Sequence, residues 1–88
     1  MKEAETIWRR SIEYAKFTND WSTAGKAAIN LGILLRVSDC PQAGIEILNN
    51  AKYFFQLANN PEKITKVNKF LGMPREKILP YAIGLGYS

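Results

Sequence analysis

An α+β fold, predominantly helical with about four helices and one C-terminal strand, is predicted by three features of the sequence. The stretch from Trp21 to Gly44 holds a helix that is apolar almost all the way round before it runs into a Pro/Gly loop, the pattern of a buried element rather than a surface one. On either side of it, apolar residues recur at helical spacing between residues with strong start and stop chemistry. The tail from Lys77 to Ser88 instead combines β-prone residues with Pro80, Gly84 and Gly86 and reads as extended.

The first helix is expected from about Lys2 to about Lys16, with Ile7, Ser11, Tyr14 and Ala15 facing inward and Ala4 and Trp8 alongside. Phe17-Thr18-Asn19-Asp20 breaks it, and Asp20 or Ser22 caps the next. In that central helix Ala24, Ala28 and Gly32 make a smooth face for close helix packing, Leu31, Leu34 and Leu35 a second, and only Lys26, Asn30 and Arg36 interrupt. Ser38-Asp39-Cys40-Pro41 ends it, with Pro41 either opening a new helix or holding a loop. A third helix is expected from Gly44 to Asn60. A fourth starts at Asn60-Pro61-Glu62 and runs to about Leu71, with Gly72 as a left-handed cap. Met73-Pro74-Arg75-Glu76 reads as a turn before the strand, and Pro80 suits an edge position. A lone strand needs a partner from elsewhere. So does so apolar a helix in so short a chain, and together they predict a homodimer paired across the central helix.

The 88 residues make one domain, 1–88, of ordinary globular composition, 47% hydrophobic and 23% charged. The net charge of +4 is scattered, with Arg9-Arg10 the only adjacent basic pair, which favours a small anionic ligand and disfavours nucleic acid. One cysteine excludes an internal disulfide, and the absence of histidine removes imidazole ligands and imidazole general-base catalysis. No apolar run is long enough to span a membrane and no signal-peptide core is visible, so a cytoplasmic location is expected.

An internal repeat is the alternative organisation. Asn19-Asp20 recurs as Asn59-Asn60, Lys26 as Lys66 and Leu31-Gly32 as Leu71-Gly72, all at an offset of forty. That is near the period of helical-hairpin repeats and describes a non-enzymatic, tetratricopeptide-like interaction module. The tail after Gly72 does not continue the pattern.

Three stretches, in order, resemble the FMN-dependent nitroreductases. Ala4-Glu5-Thr6-Ile7-Trp8-Arg9-Arg10-Ser11-Ile12, with Lys16-Phe17-Thr18, is similar to the family's N-terminal segment. Asp39-Cys40-Pro41-Gln42-Ala43 resembles the loop beside the flavin ring. Leu71-Gly72-Met73-Pro74-Arg75-Glu76 and Ile83-Gly84-Leu85-Gly86-Tyr87 resemble the turn and closing strand. The strands and helices that the family carries between these ends are missing, Glu13 stands where a further basic residue is usual, and Lys16 is the nearest substitute. The resemblance implies a reduced nitroreductase-like fold, FMN bound at a dimer interface, and hydride passed from NAD(P)H through flavin to a nitroaromatic or quinone-like acceptor. A cofactor-free, degenerate member of the family is a further alternative.

The chemistry of those residues can also be stated on its own. FMN needs guanidinium forks for its phosphate and N–H donors near a ring that gains negative charge on reduction. Arg9, Arg10 and Ser11, with Lys16, are the candidates for the phosphate. Pro41, Gln42, Ala43 and Gly44 are candidates for the ring, the resemblance placing the Ala43 amide near flavin N5. No side-chain acid, base or nucleophile is called for, and no metal.

Overall fold

The computed structural model describes residues 2–87, with side chains from Glu3 onward. Its regular structure is helical throughout: α1 (Lys2–Phe17), α2 (Trp21–Arg36), α3 (Pro41–Leu57), α4 (Pro61–Gly72) and α5 (Arg75–Gly84). No strand occurs among the described residues, so the expected α+β class is corrected to all-α.

The correction lies in the tail. Arg75-Glu76-Lys77-Ile78-Leu79 supplies helix formers directly after Pro74, whose extended backbone starts α5. Pro80 sits inside that helix. Its missing N–H would have paired with the carbonyl of Glu76, a residue exposed enough for water to take over. Gly86, at φ +103°, is the helix stop: Tyr87 N–H donates to the Ala82 carbonyl at 3.0 Å and Gly86 N–H to Ile83 at 3.1 Å, the two bonds of a Schellman motif. The glycines that suggested a broken strand thus close a helix. Gly72, expected to be left-handed, is instead the last residue of α4, and the chain leaves through an extended Met73.

The same closing motif appears twice more, forty residues apart. Asn19 (φ 58°) and Asn59 (φ 55°) take the left-handed position, which Asn tolerates better than other side-chain-bearing residues. Asp20 N–H reaches the Ala15 carbonyl at 2.8 Å, and Asn60 N–H reaches Phe55 at 2.9 Å. Both residues then cap the following helix, Asp20 accepting from Thr23 N–H at 3.3 Å and Asn60 from Lys63 N–H at 3.2 Å. One residue therefore ends a helix and begins the next. Asn60→Ala is expected to cost about 1 kcal/mol, read as a lower denaturation midpoint.

Asp20 differs from Asn60 in carrying a titrating group. Its carboxyl is held below the ordinary value by the hydrogen bonds from the Thr23 hydroxyl (2.7 Å) and amide, with a further, smaller contribution from Lys26. Because the folded-state pKa is depressed, the stabilisation is present above the ordinary value near 3.8 and is lost as pH falls through the folded one. Asp20→Asn keeps a cap but no charge. The gap in melting temperature between wild type and variant is expected to be widest at neutral pH and to close in acid.

The core is built on α2. Ten of its residues are buried, among them Ala24, Ala28, Leu31 and Leu34 with no exposed surface. α1, α3 and α5 all pack against this helix, and α4 packs on α3. The α2/α3 crossing is close because glycine replaces side chain at three points. A Cβ on Gly25 would meet the Phe55 ring at 2.6 Å, one on Gly32 would meet Leu48 at 2.6 Å, and one on Gly44 would meet the Arg36 amide nitrogen at 2.6 Å and the Gly32 oxygen at 2.7 Å.

The inward face of α1 is partly as expected: Ala4, Trp8 and Ala15 face the core, joined by Ile12, while Ile7 and Tyr14 lie outside with Arg10 and Phe17 at the spacing of one outer stripe. Phe17 is 87% exposed.

α1, α3 and α5 end in Schellman motifs, whereas α2 and α4 are closed by long side chains from elsewhere. Arg36, at the end of α2, donates to the α4 carbonyl of Phe70 (3.1 Å) and to Met73 (2.7 Å). In return Arg75 and the Tyr87 hydroxyl donate to the Val37 carbonyl at 3.0 and 3.3 Å. Arg36→Lys loses the two-pronged geometry, since an ammonium is a point donor. A loss of about 2 kcal/mol, or roughly 8–16 °C in melting temperature, is expected, against no change beyond about 0.5 kcal/mol for Arg10→Lys.

Two clefts as candidate binding sites

The sequence-predicted site residues are distributed as follows. Arg9 and Lys16 come together, with Glu13, on one wall of a cleft of about 230 Å³ between α1 and α3, opposite Ile47, Asn50 and Phe54 and over Ala28 and Leu31 of α2. Arg10 is exposed on the outer stripe of α1 and does not line it. Ser11 points its hydroxyl back to the Ile7 carbonyl at 3.0 Å. Pro41, Gln42, Ala43 and Gly44 form no loop but the first turn of α3.

That placement bears on whether these residues fit a flavin. The Arg9 guanidinium makes two bonds to Glu5, at 3.2 and 3.1 Å, and the Lys16 ammonium lies 3.6 Å from Glu13. Both cations thus have carboxylate partners on their own helix, where a phosphate would have to compete. The Ala43 amide donates to the Cys40 carbonyl at 3.1 Å, and Gly44 is buried against α2. Neither backbone group is turned outward as a ring donor. Of the eight residues Arg9 and Lys16 line one cleft and the other six do not, so the single chain lends the flavin no fitted cradle.

A second cleft, of about 170 Å³, opens between α2, α4 and α5. Ile29, Asn30 and Ile33 of α2 form one wall, Lys66 and Phe70 of α4 the other, and Tyr81 of α5 with Leu85 just after it the end. Tyr81 meets Phe70 edge to face, with centroids 5.1 Å apart. The arginine ties between α2, α4 and α5 hold the three helices that frame this cleft.

Tyr81 and Leu85 escape a reading of the sequence because the tail was expected to be a strand. One signal was present. Leu31-Gly32 is followed three residues on by Leu35, and after the turn Gly44 is followed four on by Leu48 and seven on by Ala51. This small-and-large spacing over two helices matches the helix–turn–helix pattern of tetratricopeptide-like repeats. Its physical content is the close crossing at Gly32 and Gly44.

No helix among the described residues is long and apolar enough to cross a membrane. No protein-family model matches the chain, and no curated protein or solved structure matches it closely enough for common descent to be recognised.

Proposed function

We propose that the chain is a non-enzymatic helical-repeat module that holds a segment of another protein in the cleft between α2, α4 and α5. The observation that carries this is the recurrence at forty residues of one turn, with the same left-handed Asn, the same two closing bonds and the same shared cap. Helical-hairpin arrays are built from such repeated joints and bind along the surface made by successive equivalent helices. Here the equivalent helices are α2 and α4, the two that wall the second cleft.

A twin chain paired across the central helix, which the sequence favours, would meet α2 where α1, α3 and α5 leave it open, as along the second cleft.

Panning a random-peptide library on the immobilised chain, then titrating the recovered peptides into isotope-labelled protein, tests the proposal. Saturable one-to-one binding with amide shifts on α2, α4 and α5 is expected, with flavin absorbance unchanged when FMN is added to millimolar level. Stoichiometric FMN uptake would replace this reading with the flavin one. Failure of every recovered peptide to saturate would remove it.

A further inference from the structure

The distribution of charge over the two clefts says what kind of segment the second one takes. α2 and α4 together carry five basic residues, Lys26, Arg36, Lys63, Lys66 and Lys69, and one acidic residue, Glu62, a difference equal to the net charge of the whole chain. Among the described residues the ion pairs are both on α1, Arg9–Glu5 and Lys16–Glu13. The wall of the α1/α3 cleft is therefore neutralised from within. Among the described residues, the lysines of α2 and α4 have no carboxylate within ion-pair distance.

Lys66 lines the second cleft directly. Lys26 lies one turn from Asn30 on the same side of α2, and Lys63 one turn from Lys66 on α4. Lys26 lies near enough to Asp20 to make a minor contribution to lowering that carboxyl's pKa, without forming an ion pair with it. Between the cations the lining is apolar, with Ile29, Ile33, Phe70 and Leu85, and Asn30 offers a carboxamide that can both donate to and accept from a peptide backbone.

We propose that the occupant of this cleft is an acidic segment of a partner protein, one large apolar side chain seated among Ile29, Ile33, Phe70 and Leu85 with flanking carboxylates facing Lys66 and Lys26. This rests on the interaction-module reading. A volume of about 170 Å³ suits one such anchor and not a second helix face. Nucleic acid is a poorer match, because phosphate recognition relies heavily on arginine forks and both arginines at this end of the bundle are committed to carbonyls, Arg36 to Phe70 and Met73 and Arg75 to Val37. A membrane surface is a poorer match too, because the apolar groups are recessed in a cleft rather than raised above it.

The test uses the whole chain and a labelled synthetic peptide with a central Leu or Phe flanked by Glu, alongside its Gln counterpart, read by fluorescence anisotropy. The Glu peptide is expected to bind at least about tenfold more tightly than the Gln peptide. Its advantage should shrink between about 0.1 and 1 M salt, as the screening length falls from about 10 to about 3 Å. Lys66→Glu, at an exposed position where circular dichroism should be unchanged, is expected to weaken binding about tenfold or more. Lys66→Arg should retain it, and Lys52→Glu on α3 should have no effect. Equal binding of the Glu and Gln peptides would overturn the proposal, as would tighter binding of an oligonucleotide or of anionic vesicles. Equal binding of the two peptides with amide shifts still on α2, α4 and α5 would end this proposal alone, whereas shifts confined to the α1/α3 cleft, or FMN uptake, would remove the module reading with it.

Discussion

Phe55→Ala is expected to lower the unfolding free energy by about 3–5 kcal/mol, against a total of about 4–13 kcal/mol for a chain of this length. Phe55 is wholly buried, and its ring points end-on at Gly25 of α2. Removing the ring leaves a void facing a residue with no side chain to move into it, so the site cannot collapse cheaply. Urea denaturation should show a lower midpoint with an unchanged slope, or no folded baseline at all. Gly25→Ala provides the internal check. In the wild type the added methyl would lie 2.6–2.7 Å from three ring atoms and should destabilise; in the Phe55→Ala background it occupies freed space and should stabilise. That reversal of sign within one double-mutant cycle is the decisive reading. A stabilising Gly25→Ala in the wild type would mean that the two helices do not approach as described.

Gly44→Ala is the second large effect. In the body of a helix, replacing glycine by alanine ordinarily gains up to about 1 kcal/mol. Here the new Cβ would meet two backbone atoms, the Arg36 nitrogen at 2.6 Å and the Gly32 oxygen at 2.7 Å, and neither can rotate aside as a side chain can. The helices must separate, and the rest of the crossing loosens with them. A net loss of about 2–3 kcal/mol is expected, with Gly44→Leu preventing folding. Gly72→Ala, with no atom within 4 Å of its new methyl, is the control and should cost nothing. Equal melting temperatures for Gly44→Ala and Gly72→Ala would show that the crossing is looser than 2.6 Å implies.

What was legible in the sequence follows from which interactions are local. Asp20, and Asn60 followed by Pro61, announce helix starts because their capping bonds reach only three residues along the chain. Residues 2–72 therefore divide into four helices close to their expected bounds. The tail was misread because a glycine that stops a helix and a glycine that interrupts a strand are the same letter; the difference lies in whether Tyr87 can bond Ala82 five residues back. The face of α1 was partly misassigned because Ile7 and Tyr14 are as apolar as the residues opposite. Arg9 and Lys16 were visible as cations, and their partners Glu5 and Glu13 were visible too, one helical turn away. The second cleft was hidden because it is formed by α5 returning to α2, a contact between residues far apart in sequence.

The residues that shut one helix and open the next leave no spacer between the two. Trp21 to Asn60 accordingly begins just after such a joint and finishes on another, which makes it a cassette with matching ends. Duplicating that cassette in frame would add one unit without inventing a junction, so the size of this architecture is open to change by copying alone.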